Sequence, residues 1–169
     1  SYTMGSAHDE FDAGVTYTDS FTVAAADGTS HQVTVSITGS NDIASLSSDT
    51  KALTETDAAL STSGTLSLTD ADTTDATVTP QTNTAGIYGQ FSINAAGAWT
   101  YATTSALDQL DANQVVTDVF NVATSDGGSA TVTVIITGSN DVPTAAADAA
   151  TTAEDTPVFI DTVANDFDV

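Results

Sequence analysis

The segment TVTVIITGSND (131–141) places Val132, Val134 and Ile136 at every second position. Alternation with a period of two, rich in β-branched residues, is typical of a strand that buries one face. The earlier segment QVTVSITGSND (32–42) has the same alternation and the same ending. The two segments predict a β-protein in which one kind of strand occurs at least twice.

The similarity extends well beyond these two strands. Residues 1–42 align with residues 100–141 at a constant offset of 99, without a gap and with 23 identities. A third copy begins after the second GSND, because Asp49 and Glu55 recur at the same offset as Asp148 and Glu154, and LTDAD (68–72) recurs as ANDFD (164–168) after a three-residue shift. Internal repeats of this kind indicate a tandem architecture.

The repeat length indicates the type of domain. We expect the end of one repeat at 1–42, a complete repeat at 43–141 and the beginning of a third at 142–169. Repeats of about 100 residues have the size of an immunoglobulin-like β-sandwich, whereas solenoid repeats have about 20–45 residues. The sequence therefore predicts an all-β chain of tandem sandwich repeats about 99 residues long.

A second strand pair is predicted around the turn at 94–97. Phe91 and Ile93 precede this turn, and Trp99 and Tyr101 follow it. Gly97 fits the tight position of a hairpin. We expect Trp99 and Tyr101 to lie in the core, whereas an exposed Trp99 would instead favour a carbohydrate-binding module.

The charge of the chain excludes several kinds of partner. It carries 23 acidic residues against a single Lys or Arg, for a net charge of −22. Nucleic acids and anionic membranes would repel such a chain. The apolar fraction of 40%, arranged in alternating blocks, argues against disorder. No run of 18 apolar residues occurs, so we expect no membrane insertion by this segment.

The choice of acidic residue is informative. Twenty of the acids are Asp and only three are Glu, and there is no Cys to form a disulfide. Asp is favoured in turns and in compact calcium sites. Asp27 and Asp126, each followed by Gly, are explained equally well as turn residues, and the Asn-Asp of each linker could be a solvated connector. Bound metal is the other interpretation, and it would stiffen a chain that has no disulfides.

No catalytic arrangement is recognisable. The sequence contains no G-x-S-x-G, no H-E-x-x-H and no glycine-rich phosphate loop. His8 and His31 have no partners at a spacing that indicates a site. Carboxylates are so abundant that any pair of them is uninformative as a glycosidase signal. We expect that the chain is not an enzyme.

Three segments carry a resemblance to a known family. GTLSLTDAD (64–72), TPQTNTAGIYGQFSINAAGAWTY (79–101) and the block from LDA to GSND (110–141) resemble the VCBS repeat family. AEDTPVFIDTVANDFDV (153–169) resembles the opening of a bacterial cadherin-like domain. The resemblance implies large extracellular adhesins, exported by type I secretion, that serve attachment and biofilm formation. It also implies tandem β-sandwiches that contact neighbouring repeats and bind calcium at the joints.

The same resemblance implies particular calcium ligands. In cadherin-type repeats the base of one domain, the linker and the Asp-x-Asp loop of the next domain share ions. The first joint would use Asn41, Asp42, Asp70 and Asp72, with Asp126 able to reach the same end. The second joint would use Glu55, Asn140, Asp141, Asp166 and Asp168. Asp108 or Asp111 could replace a further acidic ligand, but neither is included in the predicted set.

A second functional hypothesis follows from the incomplete first repeat. A half-sandwich would expose an unpaired sheet edge, and such an edge can accept a strand from a neighbouring chain. The chain would then be a segment or subunit of a self-associating extracellular filament.

Overall fold

The computed structural model describes residues 1–72 and 76–167 and confirms an all-β chain. Within these residues there is no helix, and hence none long and apolar enough to cross a membrane. The strands are β1 (Thr16–Ala24), β2 (Ser30–Thr38), β3 (Ser45–Leu46), β4 (Asp49–Thr54), β5 (Ser61–Thr65), β6 (Leu68–Thr69), β7 (Gln81–Ala85), β8 (Gly89–Ile93), β9 (Ala98–Thr103), β10 (Val115–Ala123) and β11 (Ser129–Thr137).

Strands β3 to β11 form a sandwich-like body. One sheet has the order β10-β11-β4 and the other has the order β5-β9-β8-β7, while β3 and β6 form a short separate pair. The β11–β4 pairing is parallel and all other strand pairings are antiparallel. Antiparallel neighbours with one buried face account for the alternation seen in the sequence.

The core lies between the two sheets. The alternating residues of β11 that define the pattern, Val132, Val134 and Ile136, are fully buried. From the opposite sheet, Phe91 stacks on Phe120 of β10 with a ring-centroid distance of 4.7 Å. Trp99 is 1% exposed, which confirms that it belongs to the core and leaves no aromatic platform there for a sugar.

The β8–β9 hairpin forms as the sequence predicts. Gly97 has a φ of 80°, a left-handed conformation that glycine adopts without strain. The side chain of Asn94 accepts hydrogen bonds from the backbone N–H groups of Ala96 and Ala98, both at 3.0 Å. These two hydrogen bonds stabilise the turn and align β9 with β8.

A buried carboxylate fixes the loop between β7 and β8. Asp118 of β10 is 2% exposed and accepts four hydrogen bonds. The donors are the backbone N–H groups of Ile87 (2.7 Å), Tyr88 (3.1 Å) and Gly89 (3.1 Å) and the hydroxyl of Tyr101 (2.8 Å). Burial, and then the bond to Asp118, raise the pKa of Tyr101. Asp118 therefore joins the two sheets through hydrogen bonds.

The β1–β2 hairpin has the same register as β10–β11. Thr16 pairs with Thr38, and Val115 pairs with Thr137 at an offset of 99 residues. Their surroundings differ, because β1 and β2 form a two-stranded sheet on their own. Phe21 of β1 is 41% exposed, whereas its counterpart Phe120 is 5% exposed. Residues 1–42 thus form a hairpin whose apolar face is uncovered.

Candidate metal-binding sites at the two linkers

Six carboxylate oxygens in the described part of the chain are buried and accept no hydrogen bond. A buried charged oxygen without a partner is costly, and native structures usually provide one. The six atoms are Oε1 of Glu55, both Oδ atoms of Asp70, Oδ1 of Asp72, Oδ1 of Asp108 and Oδ2 of Asp141. They fall into two groups, one near each Gly-Ser-Asn-Asp linker.

The first group, which we call the linker-141 cluster, comprises Glu55, Asp108 and Asp141. Glu55 directly follows β4, Asp108 lies in the turn after β9, and Asp141 follows β11. One carboxylate oxygen from each lies within 4.8 Å of those from the other two. Three separate parts of the sandwich thus bring their carboxylates to one point.

Hydrogen bonds to Ser139 hold Glu55 in this position. Oε2 of Glu55 accepts from the backbone N–H of Ser139 at 3.2 Å and from its hydroxyl at 3.0 Å. The backbone N–H of Glu55 donates to the carbonyl of Thr137 at 2.8 Å, which extends the β4–β11 pairing. Because Glu55 is 1% exposed, its other oxygen, Oε1, is held inside the cluster without a partner.

The charges of this cluster are not compensated by the protein. Burial, and then the negative charges of Glu55, Asp108 and Asp57, raise the pKa of Asp141. Lys51 is the one Lys or Arg of the sequence, and its Nζ lies 3.4 Å from Asp49 Oδ2. A cation from solution or a proton must therefore neutralise the cluster.

The donor set fits calcium. Calcium binds carboxylate oxygens at about 2.3–2.6 Å, so two of its ligand atoms lie at most about 5 Å apart. The 4.8 Å limit within the linker-141 cluster is consistent with this spacing. Glu55, Asp108 and Asp141 would hold such an ion, and backbone carbonyls and water would complete the six to eight ligands.

The second group consists of Asp70 and Asp72. With the nearby Asp9 and Asp42 they form what we call the linker-42 cluster, in which no three of the described carboxylates lie within 4.8 Å of one another. Asp72 is fully buried, and its Oδ2 accepts from the backbone N–H of Asp42 at 2.7 Å. Burial, and then the charges of Asp9, Asp72 and Asp70, raise the pKa of Asp42. Carboxylates from the β1–β2 hairpin region and from the sandwich therefore meet at this linker.

The two clusters share a pair of equivalent residues. Asp9 and Asp42 precede Asp108 and Asp141 by 99 residues each. The sequence prediction included Asp42 and Asp141 but omitted Asp9 and left Asp108 outside its set. The repeat offset was the signal that could have found both, because the two positions are Asp in each copy.

Asp126 contributes to the same linker in a different way. Its carboxylate accepts hydrogen bonds from the backbone N–H of Ala44 and from the hydroxyl of Thr124. The bond from Thr124, and then that from Ala44, lower its pKa. Both carboxylate oxygens of Asp126 therefore accept hydrogen bonds, and the bond from Ala44 holds the linker against the β10–β11 turn.

The remaining predicted ligands lie elsewhere. The side-chain amides of Asn41 and Asn140 donate to the carbonyl oxygen of the Asp that follows each, at 3.0 and 2.6 Å. Asp166 accepts from the backbone N–H of Ala146 at 2.8 Å and is not part of the linker-141 cluster. Asp168 lies outside the residues that the structure describes.

Comparison with known proteins adds no family assignment. No family model matches the chain, and a search of the curated proteins finds no relative.

Proposed function

We propose that the chain is a structural segment of a bacterial surface adhesin, in which calcium at the linkers stiffens tandem immunoglobulin- or cadherin-like domains. The observation that carries this proposal is the linker-141 cluster, in which carboxylate oxygens of Glu55, Asp108 and Asp141 converge and three of them are buried without a partner. Asp70 and Asp72 add buried, unpartnered oxygens near the equivalent linker. The function is mechanical rather than catalytic: the segment extends a distant binding end away from the cell and so serves attachment and biofilm formation.

The position of the linker-42 cluster supports this role. Asp9 precedes β1, whereas Asp70 and Asp72 follow β6 of the sandwich. An ion bound among them would connect the hairpin region to the sandwich directly. Without an ion the same carboxylates repel one another, as the raised pKa of Asp42 indicates. The linker is thus suited to be loose without calcium and fixed with it.

The expected affinity matches an extracellular location. Extracellular calcium modules bind with Kd values of about 10⁻⁴–10⁻³ M. At a calcium concentration ten times Kd, each ion would stabilise the folded state by about 1.4 kcal/mol. A segment of this kind, exported by type I secretion, would therefore be loaded only after it leaves the cell.

Calcium titration by calorimetry tests the proposal with a matched pair of variants. Asp108→Asn removes one carboxylate of the linker-141 cluster, and we expect calcium binding there to weaken at least tenfold. Asp111→Asn removes the same charge three residues away, where the residue is exposed and outside the cluster, and we expect no change in affinity. If both variants bind calcium like the unmodified chain, the linker-141 cluster is not a calcium site.

A further inference from the structure

The two strands of the sandwich that lead to its linkers are neighbours and run in the same direction. β4 pairs in parallel with β11 over six residue pairs, from Val132↔Asp49 to Thr137↔Thr54. Only the short β3 lies between β4 and the linker at 39–42, and β11 directly precedes the linker at 138–141. The chain enters and leaves the sandwich through two strands that hold each other.

Tension along the chain would load this pair lengthwise. Gly128, directly before β11, packs against the carbonyl of Ala44 at the linker-42 end. The nine residues of β11 then run over about 30 Å to the other end, where Asp141 follows the strand. A pull applied at Ala44 and at Asp141 therefore acts along the direction of the strands.

Because the two strands are parallel, such a pull draws them in opposite directions. β4 is drawn from its first residue, Asp49, toward the linker-42 end, whereas β11 is drawn from its last residue, Thr137, toward the linker-141 end. The hydrogen bonds of a sheet cross from strand to strand, so a lengthwise pull loads all of them at once. The pair must therefore break as a unit, in shear, and not one bond at a time.

Further hydrogen bonds extend the pair at both ends. At its start, the backbone N–H of Thr131 donates to the hydroxyl of Ser48 at 3.1 Å. At its end, the backbone N–H of Glu55 donates to the carbonyl of Thr137 at 2.8 Å, and the hydroxyl of Ser139 donates to the carbonyl of Glu55 at 3.2 Å. The contact that shear must break thus extends from Ser48 to Glu55.

The contact that precedes β4 in the chain is smaller. β3 pairs with β6 over two residue pairs. Ala44 adds one hydrogen bond from its backbone N–H to the carboxylate of Asp126. With so few bonds, β3 should separate first under tension and pass the load to β4.

We infer that β4 and β11 form a mechanical clamp, which keeps the sandwich folded while the chain is under tension. The linker-141 cluster lies at one end of this clamp, because Glu55 directly follows β4 and Asp141 follows β11. A cation shared by these two residues would tie the strands together at the end from which β11 is pulled. The clamp itself needs no ion, whereas the contribution of this tie rests on the proposed function.

Single-molecule pulling in two directions tests the clamp, because a sequence without Cys allows attachment points to be chosen by substitution. Ile43→Cys with Val142→Cys loads β4 and β11 in shear. Ile43→Cys with Ser129→Cys moves the second attachment to the near end of β11, so that β4 is peeled from β11 pair by pair. All three residues are exposed, and urea denaturation should give both variants the stability of the unmodified chain.

The force at which the sandwich unfolds should depend on the direction of the pull. In a chelator we expect the shear variant to unfold at about twice the force of the peeling variant at the same pulling speed, since forced unfolding is governed by the unfolding rate and not by equilibrium stability. A contact that contributed only to equilibrium stability would give the same force in both directions. Equal forces, or a higher force in the peeling direction, would overturn the clamp.

Calcium separates this inference from the proposed function. In millimolar calcium the unfolding force of the shear variant should rise further, and Asp108→Asn should abolish this rise whereas Asp111→Asn should preserve it. A force that depends on direction but not on calcium would uphold the clamp and count against an ion at the linker-141 cluster. Calcium binding by calorimetry, together with equal forces in the two directions, would uphold the metal site and refute the clamp.

Discussion

At the scale of single residues, the carboxylates of this chain perform two different tasks that their sequence positions do not distinguish. Asp118 is buried with four hydrogen-bond donors around it, whereas Asp72 is buried with one oxygen unpartnered. The first arrangement satisfies the charge within the protein, whereas the second leaves one carboxylate oxygen without a partner in the protein. Mutation should therefore affect the two residues in different ways.

Removal of Asp118 should destabilise the sandwich whether or not calcium is present. Asp118→Ala leaves three backbone N–H groups and the Tyr101 hydroxyl without their acceptor, at a cost of about 3 kcal/mol. The matched control is Asp19→Ala, at the equivalent position of the exposed β1 strand, which should cost less than about 1 kcal/mol. Urea denaturation of both variants measures the difference. Equal losses would mean that Asp118 has no special role in joining the sheets.

Removal of the Asp141 charge should have opposite effects with and without calcium. Its pKa in the folded chain is raised above 3.8, so the folded state binds this proton more tightly than the unfolded state does. The stability that results is fully present below pH 3.8 and is lost as the pH rises through the folded pKa. At pH 7 in a chelator, Asp141→Asn should therefore melt at a higher temperature than the unmodified chain.

In saturating calcium the order of the two melting temperatures should reverse, because the variant lacks a ligand. Circular dichroism during heating, at pH 7 and at pH 4, checks both signs. Asp27→Asn is the control, since Asp27 is exposed and its pKa is lowered by the backbone N–H of Thr29. A higher melting temperature for Asp141→Asn in calcium as well would contradict the assignment of Asp141 as a ligand.

The sequence predicted part of this site for an identifiable reason. Asp42, Asp70 and Asp72 were predicted because the linker and the Asp-x-Asp loop are each a short contiguous motif. Asp9 was omitted and Asp108 was left outside the predicted set, because each lies alone in a loop and is brought to its cluster by strand packing. A single alternating pattern describes one strand, but the meeting of three loops depends on the register of all the strands.

At the scale of elements, local sequence patterns predict the individual strands but not the order of the strands in the sheets. The alternation in β11 and the four-residue turn from Asn94 to Gly97 were sufficient to predict β11 and the β8–β9 hairpin. The parallel pairing of β4 with β11 was not predicted, because it joins residues about 83 positions apart with no turn between them. That pairing places Glu55 beside Ser139, so the candidate site depends on a contact that local sequence does not encode.

Two glycines in tight turns provide a test of close packing in these elements. Gly97 and Gly127 both have positive φ, at 80° and 103°. A Cβ on Gly97 would lie 2.5 Å from the carbonyl oxygen of Leu66, whereas one on Gly127 would meet nothing within 4 Å. We expect Gly97→Ala to cost about 3 kcal/mol and Gly127→Ala about 1 kcal/mol, because the second change carries the conformational penalty alone. Thermal unfolding of the two variants measures this difference, and equal costs would show that the β8–β9 turn moves freely away from Leu66.

At the scale of the whole molecule, we expect the two linkers to control the shape. No disulfide is possible, and the linker residues Gly39 to Asp42 include no apolar side chain that could fix the hairpin region against the sandwich. The contacts at the linker-42 region include the hydrogen bond from Asp42 to the Asp72 carboxylate and the one from Ala44 to the Asp126 carboxylate, and the carboxylates of the linker-42 cluster repel one another. Exposed charges repel over a Debye length of about 8 Å at physiological salt. The conformation of the linker is therefore expected to depend on cations more than on packing.

Small-angle X-ray scattering should report this dependence directly. With calcium bound, carboxylates from both sides of the linker would share an ion, and the chain should show an extended, narrow distribution of distances. With a chelator the distribution should broaden and its mean should shorten, because the linker then samples many angles.

Asp42→Asn with Asp70→Asn should remain broad even in calcium, since one ligand is lost from each side. Asp27→Asn with Asp161→Asn removes equal charge from exposed turns and should behave like the unmodified chain. Identical curves with and without calcium would mean that the ion does not control the shape, and the mechanical role proposed for this segment would then fail even if calcium binds.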